Sequence, residues 1–142
     1  MVNISCKQQG VAAVEFLITI PVLLTILIGI TELGNALIRY NTLNKLVQNG
    51  VRYATSDITG TATFDQIANH DQIKNMVVYG KTTAGDSSLL SNLSTSDVTV
   101  THANGYVTIS ASHSYSPILD AFPESLNFSF SLNASAVMRT AP

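Results

Sequence analysis

The chain is short of several things that most folded domains use freely. It has one cysteine, Cys6, and no tryptophan, and only 11% of its 142 residues are charged. A lone cysteine excludes a disulfide framework and a thiolate metal cluster. Three scattered histidines, His70, His102 and His113, make a poor basis for a histidine-ligated metal. Seven basic residues against nine acidic ones leave a net charge of −2. That balance excludes the basic patch that a nucleic-acid binder needs to neutralise phosphates. Ordinary soluble domains carry about 25% charge, so the 46% apolar content must serve something other than a water-facing surface.

The apolar excess is concentrated in one place. Val11–Ile30 reads VAAVEFLITIPVLLTILIGI and holds a single charge, Glu15. As a helix rising about 1.5 Å per residue, this run crosses a hydrocarbon core about 30 Å thick. It exceeds the 7–15-residue apolar region of a signal peptide, and Glu32-Leu33-Gly34-Asn35-Ala36-Leu37 is a poor cleavage exit. We therefore expect a retained membrane helix over residues 11–31. Lys7 precedes it, while Arg39, Lys45 and Arg52 follow it; basic residues on both sides leave the orientation open.

Ahead of the helix lies a polar leader, MVNISCKQQG, ending in Gly10. Glu15 follows five residues later, where a lone carboxylate costs about 2.5–3.5 kcal/mol to place in a bilayer. A cut after Gly10 would give Val11 a new α-amine. An amine at the first position and a carboxylate at the fifth lie one helical turn apart, so the two groups can pair within a chain or between neighbours. Pro21 removes one backbone donor inside the same helix and loosens it there. Its two readings are a flexible point used in assembly and a harmless kink.

Beyond the membrane run, Leu33, Leu37, Tyr40, Leu43, Val47, Val51 and Ala54 recur every three or four residues. That spacing predicts an amphipathic stalk helix over 32–55. Its apolar stripe would pack either on the chain's own C-terminal domain or on neighbouring subunits. Gly50 is expected to bend or weaken the last turns.

Residues 56–142 are the candidate globular domain. Thr63-Phe64-Asp65-Gln66 reads as a capping box, opening a short helix that Gly80 stops after Tyr79. Residues 81–96, rich in Ser, Thr and Gly, read as a loop. Asn104-Gly105 predicts a two-residue type I′ hairpin turn, which sets Val100 opposite Ile109 and Val98 opposite Ala111. After Pro117, alternation from Phe128 to Met138 predicts a third, half-buried strand. Three strands need a cover, so the expected fold class is α+β: a long N-terminal transmembrane and amphipathic helix packed on a small antiparallel sheet, with one short extra helix.

No phosphate loop, dinucleotide fingerprint, H-E-x-x-H or G-x-S-x-G is present, and the acids are dispersed. The three histidines read as surface or partly buried residues rather than catalytic bases. Sequons at Asn92, Asn127 and Asn133 carry little weight. No enzyme, no cofactor and no metal is expected.

Gly10-Val11-Ala12-Ala13-Val14-Glu15-Phe16 resembles the type IV prepilin cleavage motif in its Flp/Tad form. The stretch from Gln8 to Thr55, with Pro21, Glu32-Leu33-Gly34 and Gly50-Val51-Arg52-Tyr53-Ala54, is similar to the TadE-like family of minor pilins, or pseudopilins. Ala134-Ser135-Ala136-Val137-Met138-Arg139 looks like that family's last strand. Gln8 and Gln9 stand where relatives often carry an arginine pair. The resemblance implies a leader over residues 1–10 and cleavage by a prepilin peptidase between Gly10 and Val11. Glu15 and Phe16 would then serve processing and assembly. It further implies a single-pass protein of the bacterial inner membrane with a periplasmic C-terminal domain, bound for a pilus or the cell surface. Its partners would be the lipid bilayer, a major Flp-type pilin, other minor pilins and an inner-membrane assembly platform. Two other readings stand beside it: an uncleaved membrane anchor displaying a periplasmic interaction domain, and a tethered enzyme in which His102, His113 and an acid share a pocket.

Overall fold

A computed structural model describes residues 5–56, 67–117 and 129–140. The chain is α+β, as expected. Helix α1 spans Ser5–Ser56, helix α2 spans His70–Tyr79, and strands β1 (Val98–Ala103), β2 (Tyr106–Tyr115) and β3 (Phe130–Arg139) form one antiparallel sheet in the order β1-β2-β3. The described residues fall into two compact units. One holds α1 through Asn35; the other runs from Ala36 to Ser116 and takes in β3.

In the first unit the apolar run of α1 is exposed. Val11, Phe16, Leu17, Leu23, Leu27 and Ile30 are all exposed, the reverse of what water tolerates at a continuous surface. The helix is long and apolar enough to cross a membrane. Its threonines fold back on it: Thr19, Thr25 and Thr31 donate from Oγ1 to the carbonyls of Glu15, Pro21 and Leu27 at 2.7, 2.8 and 2.9 Å. Each hydroxyl is thereby satisfied without a partner outside the helix.

The second unit has its own core. Leu43, Leu46, Val47, Val51 and Ala54 of α1 meet Ile73, Val77 and Val78 of α2 and the inner face of the sheet, Val98, Val107, Ile109, Ala111, Tyr115, Leu132 and Ala134. The sequence spacing puts Leu33, Leu37 and Tyr40 on the same buried stripe, yet they are exposed. The core reaches up α1 only as far as Ala36, which lies one heptad before Leu43 on the same line of the wheel. Periodicity marks an apolar face but not how much of it a partner covers.

Gly50 plays a different part from the bend expected of it. A Cβ at this position would lie 2.4 Å from Cγ2 of Val77 and 3.4 Å from Cδ1 of Ile109. The missing side chain is what lets α1 approach α2 and the sheet.

Helix α2 starts later than the sequence suggests. Ile67, Ala68 and Asn69 are not helical, and the Ala68 N–H donates instead to the Ala54 carbonyl at 3.0 Å. Asn69 is the N-cap, its side chain accepting from the Asp71 N–H at 2.8 Å. The capping box at Thr63 and Gln66 lies outside the described residues. The stop at Gly80 is as expected: it takes φ +71° and its N–H donates to the Met76 carbonyl at 3.1 Å.

The hairpin follows the turn chemistry closely. Asn104 and Gly105 both have positive φ, 53° and 74°, and Val98 faces Ala111 while Val100 faces Ile109. β3 begins at Phe130, and Leu132, Ala134, Ala136 and Met138 point inward while Ser131, Asn133 and Ser135 point outward. On the outer face Ser110 and Ser135 hydroxyls lie 3.1 Å apart, and those of Ser112 and Ser131 lie 2.9 Å apart. Within the loop, Thr95–Asp97 forms a single 3-10 turn whose Asp97 Oδ2 accepts from the Ser94 N–H and hydroxyl at 2.9 and 2.7 Å.

Candidate functional site

The residues singled out by sequence lie on one stretch of α1. Gly10, Val11, Glu15, Phe16 and Pro21 are all helical and exposed. Gly10 sits in open space, with nothing within 4 Å of where a Cβ would be. Its neighbours Val11, Val14, Glu15 and Ile18 line a shallow concavity along one side of the helix. Val11 and Glu15 are four residues apart and therefore share a face. The site thus presents a glycine, a small apolar patch and one carboxylate on an accessible helix.

What this arrangement can do is set by the carboxylate. Glu15 stands among exposed aliphatic side chains, so any surrounding that is apolar raises the cost of its charge. A cation brought to the same face would offset that cost. The Glu15 backbone carbonyl already accepts the Thr19 hydroxyl, which leaves the side chain as the group directed outward. The helix runs on through Pro21. Because proline has no N–H, the Leu17 carbonyl loses its usual donor and the ladder is weaker there.

Glu32, also in the apolar half of the chain, behaves differently. It is 5% exposed and engaged in an interaction. Two acids close in sequence therefore have opposite settings, Glu15 outward and Glu32 enclosed.

The histidines do not assemble into a site. His70 begins α2 and is exposed. His102 lies opposite Val107, and His113 lies opposite Leu132. Six residues of β2 separate those two levels, about 20 Å at 3.3 Å per residue. Among the described residues no three of His, Cys, Asp and Glu come together as metal ligands.

His113 is the residue that sequence reasoning misjudged. It is 1% exposed rather than partly buried, and neither ring nitrogen has a hydrogen-bond partner. Burial, and then the nearby Arg39 guanidinium, hold its pKa below the ordinary value, with Asp97 opposing them. The signal was present in the sequence. The hairpin turn puts Val107, Ile109 and Ala111 inward, and the same parity carries on to His113 and Tyr115.

Residues 10–52 match the family model of the TadE-like proteins. No curated protein and no solved structure matches the chain.

Proposed function

From the premise that residues 10–52 carry the TadE-like pattern, we propose that this is a minor pilin, or pseudopilin, of a Tad/Flp-type pilus. The match begins at the glycine that ends the polar leader, and it runs along a helix that is apolar, exposed and long enough for a bilayer. That coincidence carries the reading.

In this proposal the protein works by assembly rather than catalysis. The apolar helix holds the precursor in the inner membrane with its C-terminal domain in the periplasm. A prepilin peptidase cuts between Gly10 and Val11, where the space a side chain would fill at the glycine is empty. The mature helix then moves laterally into a filament or its initiating complex. There Glu15 accepts the α-amine of a neighbouring Val11, since both stand on one exposed face. The pairing fixes register, because an unmatched charge in an apolar packing is costly. Phe16 beside it adds apolar contact, and the weakened ladder at Pro21 lets the helix adapt to its new neighbours. The folded unit from Ala36 onward is the part that distinguishes this subunit from a bare helical pilin. It suits a priming, capping or adhesive position alongside the major Flp-type pilin, other minor pilins and the assembly platform.

The test is the intact mass of the protein recovered from membranes with and without an active prepilin peptidase. The expected product begins at Val11 and appears only with the enzyme. The same precursor mass in both would sink the processing step and leave an uncleaved anchor carrying an interaction domain.

A further inference from the structure

Past Ile30, where a hydrocarbon core would end, the exposed side of α1 still carries Leu33, Leu37 and Ile38. Val11–Ile38, roughly 28 residues, rises about 42 Å along the axis of α1. A hydrocarbon core takes about 30 Å of that, and a whole bilayer with its headgroup layers takes about 40–45 Å. The surplus therefore matches a headgroup layer.

The residues at the end of this run are those of an interfacial layer. Leu37, Ile38 and Tyr40 are exposed at 52%, 66% and 40%, although the core of the second unit begins at the neighbouring Ala36. Arg39, between them, places its guanidinium 5.2 Å over the ring of Tyr115. Tyr115 in turn lies 5.2 Å, centroid to centroid, from Phe130, which is 46% exposed. One end of the sheet, where β2 finishes and β3 starts, is thus pinned beside the last apolar turn of α1. It shows aliphatic side chains, two aromatics and a half-buried arginine. Tyrosine and arginine are the side chains that settle at a membrane–water boundary, with one end apolar and the other polar. Tyr106, at the opposite end of β2, lies about 30 Å away at 3.3 Å per residue.

We infer that this end of the folded unit, presenting Leu37, Ile38, Tyr40 and Phe130, is seated in the lipid headgroup layer. The inference rests on the membrane-spanning reading of α1. Its occupant is lipid because exposed aliphatic side chains run on from Leu27 and Ile30 through Leu33 to Leu37 and Ile38, and the exposed Thr31 among them turns its hydroxyl back to the Leu27 carbonyl. The acid of that stretch, Glu32, is enclosed.

The chain has no tryptophan, so single Trp variants report cleanly. Tyr40→Trp, Phe130→Trp, Tyr106→Trp and Leu23→Trp would be reconstituted as full chains in phosphatidylcholine–phosphatidylglycerol vesicles. One vesicle set would be brominated near the top of the acyl chain and another near its end. The expected result is blue-shifted emission and a loss of intensity for Tyr40→Trp and Phe130→Trp with the shallow bromines, and neither change for Tyr106→Trp. Leu23→Trp should be quenched by the deep bromines. If Leu23→Trp is not quenched, the spanning reading itself fails. If Leu23→Trp is quenched while Tyr40→Trp and Phe130→Trp behave like Tyr106→Trp, the headgroup seat alone is overturned. Blue-shifted but unquenched emission at positions 40 and 130 would also overturn it, assigning the patch to a protein partner.

Discussion

Gly50 offers a sharp test of the packing, because two effects of known size oppose each other there. Replacing a helical glycine by alanine stabilises a helix by about 0.8–1.0 kcal/mol when nothing is in the way. Here the new methyl would lie 2.4 Å from Cγ2 of Val77. That atom belongs to a stiff, β-branched side chain with no exposed surface, so it has little freedom to move aside. Overpacking of this kind costs about 1–3 kcal/mol. Gly50→Ala should therefore lower stability by up to about 2 kcal/mol, and Gly50→Leu by more. Val77→Ala alone should cost about 2 kcal/mol through lost burial and a residual void. In the double variant the methyl added at position 50 occupies space that Val77 vacates. The combined loss should then fall short of the sum by about 1 kcal/mol or more, the mark of residues in contact. The assay is urea unfolding of the full chain in a nonionic detergent, followed by tyrosine emission, which has no tryptophan background. A Gly50→Ala variant more stable than the parent would refute the close approach. So would single costs that add to within about 0.5 kcal/mol.

Two further outcomes follow from the second unit. His113 is buried neutral with its pKa held below the ordinary value, so below about pH 6.5 the unfolded chain takes up a proton that the folded chain refuses. Stability should fall with pH there, by up to about 1.4 kcal/mol per unit from this one group, and level off below the folded-state pKa. Urea midpoints at pH 7.5 and pH 5.5, compared between parent and His113→Leu, check this; equal slopes in the two proteins would contradict it. At the hairpin, Gly105 takes φ +74°, a region that costs an L-residue about 1–2 kcal/mol. Gly105→Ala should lose about that much, while Gly85→Ala, where the nearest neighbour is the flexible Lys81 chain end, should lose less; similar losses at both would count against the turn assignment.

Much of this fold was legible because its local signals were unambiguous. Asn104-Gly105 admits essentially one hairpin geometry, and that fixed the pairing of Val98 and Val100 and the inward face of β2. Gly80 stopped α2 for the same kind of reason, a backbone conformation that few residues accept. What was not legible depended on contacts between distant segments. Asn69 caps α2, and the Ala68 bond to Ala54, which holds the residue before it out of the helix, joins segments that no local signal pairs. Leu33, Leu37 and Tyr40 share the three-or-four-residue recurrence of Leu43, Val47 and Val51, but only the latter join the core. Gly50 looked like a weak point because a lone glycine gives no sign of the neighbour that requires it. Of the candidate site, the face shared by Val11 and Glu15 followed from helical spacing, and the openness around Gly10 needed coordinates.

The order of elements along the chain carries a consequence for biogenesis. The Thr55 hydroxyl lies 3.1 Å from the Met138 sulfur, so the end of the first helix rests against the last strand. Ribosomes deliver α1 first and β3 much later, and β2, the central strand, lacks one of its two neighbours until then. A two-stranded ribbon is marginal alone. Until β3 is made, the apolar turns from Leu43 to Ala54 must therefore wait with their cover incomplete. In that interval the nascent domain is exposed to proteases and to mispairing, and it gains its protection late, in a single closing step.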